Sequence, residues 1–307
     1  MKFRHLSIVL TLIIFCAILF IGCNGSSGEE QTVVQTDSTQ DTTEQDSNME
    51  IGKMYEYKIE ELWCKRDNNN IYGQIYIPQG ENNQKFPTVI VGHGFTGRYS
   101  NNVRYAETFA KNGIVTYLFD FCGGSNDSKS DGKTTDMSIL TEKKDMLSVF
   151  EKIKSLDYVD ADNMFLMGES QGGVVASLCA SELSNKVRGL TLLYPAYSIP
   201  DMANCLYPDT DDVPEEYSIW GMKLGKVYYA DCLTFDVYDE ISKYKGPVMI
   251  YHGTDDQVVP FSYSERAVEV YENAKLKTEE GVGHGFESEL QYSTAEDMTN
   301  FIKSNLE

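Results

Sequence analysis

Apolar positions along the chain switch repeatedly between short continuous runs and helical spacing. Residues 53–63 alternate at Tyr55, Tyr57 and Ile59, which predicts a half-exposed strand. Asp67-Asn68-Asn69-Asn70 is a turn cluster, and 71–77 alternates again, so the two runs predict an antiparallel hairpin. Thr88-Val89-Ile90-Val91 and 114–119 are continuous apolar runs, as expected of strands buried on both faces. Helical spacing follows at 101–112 and at 136–155, where Ile139, Leu140, Met146, Leu147, Phe150 and Ile153 share a face. Further strands are predicted at 164–167, 187–193, 247–251 and 276–280, with helices at 171–183, 262–274 and 294–305. Strands alternating with helices predict an α/β class: a mostly parallel, eight-stranded sheet flanked by helices.

One stretch interrupts this rhythm. About 50 residues separate the strand ending at Leu193 from the one beginning at Pro247, too many for an ordinary connection. Positions 194–244 hold ten aromatics in 51 residues. Residues 197–245 are therefore expected to form an inserted cap after the sixth strand.

The first 50 residues obey neither pattern. Lys2 and Arg4 precede the apolar run 6–21, a short secretory-type core. It ends at Phe20-Ile21-Gly22-Cys23, which resembles the lipobox of bacterial lipoproteins. That resemblance implies a signal peptide at 1–22, a lipid on Cys23, and attachment to the extracytoplasmic face of the cell membrane. The rest of 23–50 is rich in Ser, Thr, Gln, Asp and Glu and reads as a flexible tether. The folded domain is expected at 51–307.

Composition narrows the function. The 307 residues carry 26 basic and 47 acidic side chains, a net charge of −21. So acidic a surface repels phosphate backbones and excludes nucleic acid as a partner. The seven cysteines lack close Cys-x-x-Cys pairs, which argues against a zinc site or a disulfide framework. Buried free thiols are the expectation, with Cys205–Cys232 the one pairing left open. Asp209, Asp211 and Asp212 lack the glycine and distal glutamate of a calcium loop and read as a solvated turn, so no metal is expected. No Gly-x-Gly-x-x-Gly or Walker pattern occurs, and no cofactor is implied.

The chemistry gathers at Gly168-Glu169-Ser170-Gln171-Gly172, between a predicted strand and a predicted helix. Gly-x-Ser-x-Gly in that setting is a nucleophile elbow, whose glycines permit a sharp turn that exposes Ser170. A serine alcohol needs a base. The chain has four histidines: His5 lies in the signal segment, and His93 and His252 precede any acid placed after the penultimate strand. In the α/β-hydrolase order of serine, acid, histidine, His284 remains. The acid lies in His252-Gly253-Thr254-Asp255-Asp256, where Asp255 and Asp256 compete. The developing oxyanion needs backbone donors: the amide of Gln171, and one from the loop His93-Gly94-Phe95-Thr96-Gly97, with Phe95 its candidate.

These residues, together with Gly172-Gly173, Leu193-Tyr194-Pro195-Ala196 and the run from His252 to Pro260, resemble the α/β-hydrolase fold and, within it, bacterial cinnamoyl (feruloyl) esterases. The resemblance selects Asp256, from the His-Gly-x-x-Asp-x-x-Val-Pro register. It implies Ser170 as nucleophile, His284 as base, and the Phe95 and Gln171 amides as oxyanion hole. It also implies a cap shaping a pocket for an aromatic acyl group. Trp220 and Tyr228, with Tyr229, are the candidate pocket residues, a tyrosine hydroxyl meeting a phenolic substrate. Two departures stand out: Glu169 replaces a frequent His, and Phe121-Cys122-Gly123-Gly124-Ser125 differs from the usual Gly-His-Gly stretch. The expected activity is hydrolysis of a small carboxylic ester through an acyl-enzyme. A serine peptidase of the prolyl-oligopeptidase kind and a non-catalytic surface binding lipoprotein are the rival readings.

Overall fold

Asp67 turns the chain through a positive φ of 53°, and the segments on either side pair antiparallel as β1 (Tyr57–Arg66) and β2 (Asn69–Pro78). The computed structural model describes residues 53–307. The signal segment, Cys23, the tether and the domain's starting residue Ile51 lie outside the described residues.

β3 (Phe86–Gly92) leads to α1 (Val103–Lys111), β4 (Val115–Phe119), α2 (Ile139–Lys154), β5 (Val159–Glu169), α3 (Gln171–Leu183) and β6 (Gly189–Leu193). Between β6 and the next sheet strand lie α4 (Ser198–Leu206), a hairpin of β7 (Glu216–Ile219) and β8 (Met222–Gly225), α5 (Val227–Cys232) and α6 (Val237–Ile241). β9 (Val248–Gly253), α7 (Ser262–Val270), β10 (Ala274–Glu279) and α8 (Ser288–Ser304) complete the described chain. Among the described residues, eight strands form one sheet in the order β1-β2-β4-β3-β5-β6-β9-β10, parallel from β4 to β10. This is the α/β-hydrolase fold.

The continuous apolar runs become the central strands. Every residue of β4, β6 and β9 is buried, because helices cover both faces. Tyr105 and Phe109 of α1 pack with Met298 and Ile302 of α8 in one apolar layer. Met146 and Phe150 of α2, Val174 and Leu178 of α3, Ile241 of α6 and Ala267 of α7 share the other. The inserted segment is tied to the turn before α2. The Thr134 hydroxyl donates to the Lys223 carbonyl, and Ser138, the N-cap of α2, donates to Asp231 of α5.

Several boundaries differ from expectation, each for a local reason. β1 begins at Tyr57 rather than 53, where pairing with Pro78 starts. β5 starts five residues before its apolar core, because Val159 pairs with Phe86. α7 stops at Val270, since Tyr271 is extended. α8 begins at Ser288, six residues before its buried stripe, because Leu290 is the one apolar contact to the core in its first turns. Cys205 is exposed and Cys232 is buried, both as free thiols, so that pairing is not formed and one thiol expected to be buried is not. Among the described residues, no helix is long and apolar enough to cross a membrane.

Candidate active site

β5 passes into α3 without a connecting loop. Ser170 makes the corner at φ 50° and ψ −119°, a conformation side chains rarely adopt. Glycine is required around it. A Cβ on Gly168 would stand 2.2 Å from the Gly172 carbonyl oxygen, and one on Gly172 would stand 2.4 Å from the carbonyl oxygens of Gly92 and His93. The Ser170 amide donates to Leu193 O at 2.9 Å, and its carbonyl accepts from Ala196 N at 2.9 Å, anchoring the corner to the end of β6.

Three loops at the same sheet edge bring the candidate side chains together. The Ser170 hydroxyl lies 3.0 Å from His284 Nε2, and His284 Nδ1 donates to Asp256 Oδ2 at 2.7 Å. The other Asp256 oxygen accepts from the Val258 and Val259 amides, both at 2.8 Å. Burial alone would raise the Asp256 pKa. The hydrogen bonds from His252, His284 and Val259 overcome it and hold the carboxyl well below the usual carboxylate range. Asp255 instead lies on the outer turn, its amide donating to Val282 O.

The loop after β3 faces Ser170 from the other side. His93 Nδ1 donates to Gly94 O at 2.8 Å, and His93 Nε2 accepts from Phe121 N at 3.2 Å. Burial pushes the His93 pKa down, which suits this neutral tautomer. Among the described residues, neither the Phe95 nor the Gln171 amide donates to a protein acceptor. Gln171 opens the thirteen-residue α3, so its amide also lies at the positive end of that helix dipole.

A cavity of about 200 Å³ opens beside Ser170. Phe95, Ile199, Met202, Ile219, Trp220, Tyr228, Tyr229, Val258 and Val259 line most of it, and none of its lining side chains is charged. Trp220 sits at the β7–β8 turn, 72% exposed, with its ring centroid 5.8 Å from that of Phe95. Tyr228 is buried, and its hydroxyl donates to Gln171 Oε1 at 2.7 Å. The Tyr229 hydroxyl donates to Met202 Sδ at 3.4 Å. Both phenols thus donate their protons to the protein, which leaves their oxygens as acceptors. A second cavity, of about 700 Å³, is lined by the loop after β10, with His284, Glu287 and Glu289 among its residues. Ser170 lines the first cavity and His284 the second.

Residues 100–307 match the Prolyl oligopeptidase family. The chain belongs to that family. Its fold is similar to Est1E from Butyrivibrio proteoclasticus with ferulic acid bound, at 30% identity and a TM-score of 0.73, covering 80% of this chain and 98% of Est1E. The DcsB complex with its substrate analogue, at 21% identity and a TM-score of 0.66, shares the fold over 81% of this chain and all of that one. Among curated relatives, the bifunctional esterase/perhydrolase of Acinetobacter calcoaceticus is 36% identical over 89 residues, 27% of this chain and 32% of that protein. The non-heme chloroperoxidase of Streptomyces lividans is 39% identical over 70 residues, 22% of this chain and 25% of that protein. The matched stretch thus spans about a quarter to a third of these curated relatives. Together these likenesses give the chain an α/β-hydrolase fold with esterases among its relatives.

Sequence reasoning missed several members of the site. His252 Nε2 donates to Asp256 Oδ2 at 3.1 Å and to Val259 O at 3.0 Å, while its Nδ1 lies 2.7 Å from the Ser264 hydroxyl. Asp256 therefore serves two imidazoles. Glu169 is partly buried and accepts from Gly94 N at 3.2 Å, Asn102 Nδ2 at 3.2 Å and the Tyr194 hydroxyl at 3.3 Å, bracing the elbow against the loop after β3. Burial raises its pKa, and these donors offset part of the rise. Glu142 accepts from Gln171 Nε2 at 2.8 Å. A signal for Glu142 was present: it falls on the buried stripe of α2 between Ile139 and Met146.

Burial pushes the Glu142 pKa well above its ordinary value, and nearby Asp145 adds to the rise. The folded protein then holds a proton that the unfolded chain releases once the pH passes the ordinary glutamate range. Stability contributed by this site is highest in acid and falls as the pH rises toward the folded-state pKa, by up to about 1.4 kcal/mol per pH unit. Glu142→Gln keeps an acceptor for Gln171 and removes this titration. Thermal melts from pH 5 to pH 8 are expected to show the variant gaining on the parent as pH rises. Parallel melting curves would contradict the assignment.

Proposed function

We propose that the protein is a serine carboxylic-ester hydrolase. One observation carries the reading: the Ser170 hydroxyl, His284 and Asp256 form a continuous hydrogen-bonded chain beside an uncharged cavity. Ser170 attacks the ester carbonyl while His284 Nε2 takes its proton. Asp256 holds the imidazole with its proton on Nδ1 and stabilises the imidazolium. The free amides of Phe95 and Gln171 receive the oxyanion. His284 then returns the proton to the departing alcohol, leaving an acyl-enzyme. Water, deprotonated by the same histidine, releases the acid.

The cavities suggest how the substrate divides. An apolar cavity of roughly 150 Å³ can hold a benzene ring. The cavity of about 200 Å³ beside Ser170 therefore suits an uncharged acyl group of one ring or a short chain. Feruloyl and cinnamoyl groups are of that kind, and the likeness to Est1E supports them. The larger cavity with Glu287 and Glu289 suits a polar alcohol. The family match favours one second reading, a peptidase. The full chain is to be assayed on p-nitrophenyl butyrate, methyl ferulate and an aminoacyl p-nitroanilide. We expect ester turnover that Ser170→Ala lowers by at least about a thousandfold. Turnover of the anilide alone would replace the esterase reading with the peptidase one.

The lipobox-like Phe20-Ile21-Gly22-Cys23 supports attachment to the outer face of the cell membrane through Cys23. In cells fed an alkyne fatty acid, the full chain is expected to take the label and sediment with membranes. A Cys23→Ala chain that still carried the label would contradict this.

A further inference from the structure

The two amides offered to the oxyanion belong to separate segments, the start of α3 and the loop after β3, and one side chain touches the residues that carry both. Tyr228 donates to the Gln171 side chain at 2.7 Å, and its ring centroid lies 5.7 Å from that of Phe95. The far end of the Gln171 amide donates to Glu142 at 2.8 Å. Gln171 is thereby held at both ends, between α2 and α5, while its backbone N–H stays free. Tyr228 comes from the inserted segment, and α5 is itself fixed to the N-cap of α2 through Asp231 and Ser138. We propose that Tyr228 is a positioning residue for the oxyanion hole, through which the inserted segment sets the aim of the Gln171 and Phe95 amides. This inference rests on the esterase reading of the same site.

Oxyanion donors act only when held within about 0.5 Å of the productive geometry. Gln171 is the first residue of α3, where no intrahelical hydrogen bond restrains its N–H. A side chain tied at both ends restrains it instead. Without the Tyr228 hydroxyl, the buried Gln171 Oε1 loses this donor, and the amide is held at Nε2 alone by Glu142. The ring that backs Phe95 loses its anchor in the same step. The effect falls on the transition state, because the two amides meet a full negative charge only once the carbonyl oxygen becomes an oxyanion.

Tyr228→Phe keeps the pocket wall and removes only the tether. Rates are normalised to protein that titrates with a fluorophosphonate, so misfolded chains do not count. For p-nitrophenyl butyrate we expect kcat to fall about tenfold with KM changed less than about twofold, the scale of one lost oriented hydrogen bond. An alkylboronic acid, which forms a tetrahedral adduct on the serine, should lose affinity by a similar factor. In a Gln171→Met background, which keeps the backbone amide, Tyr228→Phe should have no further effect. A rise in KM with kcat and boronate affinity unchanged would make Tyr228 a pocket wall only and overturn the proposal. Additive losses in the double variant would overturn it too. Parent enzyme with no Ser170-dependent ester turnover would overturn both this inference and the esterase reading, whereas an active parent matched by Tyr228→Phe overturns this inference alone.

Discussion

Ser170 can stand where it does only because β3, β5 and α3 approach one another at backbone distance. Any side chain at 168 or 172 would push into carbonyl oxygens of the elbow itself or of the neighbouring strand end. That approach fixes three things together. The serine is forced into a left-handed conformation that lifts its hydroxyl above the sheet edge. The first amide of α3 is turned toward the same side, and the His93-Gly94-Phe95 loop is brought alongside. The buried core supplies the stability that holds this corner, since a non-glycine residue at positive φ is strained. The parallel sheet, with helices on both faces, is what delivers β6, β9 and β10 to the same edge carrying their own loops.

Electrostatics complete the arrangement. Asp256 is surrounded by donors: two backbone amides on one oxygen and two imidazoles on the other. A carboxylate so satisfied stays ionised in spite of burial and resists taking the proton from His284. His252 adds rigidity, because it anchors Asp256 to Val259 and Ser264. The other acids near the elbow behave differently. Burial raises the pKa of both Glu142 and Glu169. The site thus separates one firmly ionised carboxylate from two that brace the elbow, Glu169 through the Gly94 amide and Glu142 through the Gln171 side chain.

The parts of this architecture legible in the sequence are those written locally. The helix at 171–183 could be bounded to the residue, since glycines open it and apolar positions fill it. The buried strands were visible as β-branched runs. The elbow serine, the last histidine and the aspartate pair stood out by order along the chain. What stayed hidden depends on distance in sequence. Tyr228 meets Gln171 across 57 positions, and no local pattern marks a phenol that will spend its hydroxyl on a glutamine. His252 looked like a strand-end histidine because its partners arrive only when the following turn folds back. Glu142 lay open to detection as an acid on an apolar stripe. The first turn of α8, with Leu290 its single apolar residue, carries too little periodicity to read.

The central claim is that Ser170, activated through His284, is a nucleophile. It is tested most directly by treating the folded chain with a fluorophosphonate and locating the adduct by peptide mass spectrometry. The account predicts a single stoichiometric adduct on Ser170, with labelling that slows by orders of magnitude in His284→Ala. An unlabelled Ser170 in folded protein, or labelling indifferent to His284, would contradict it.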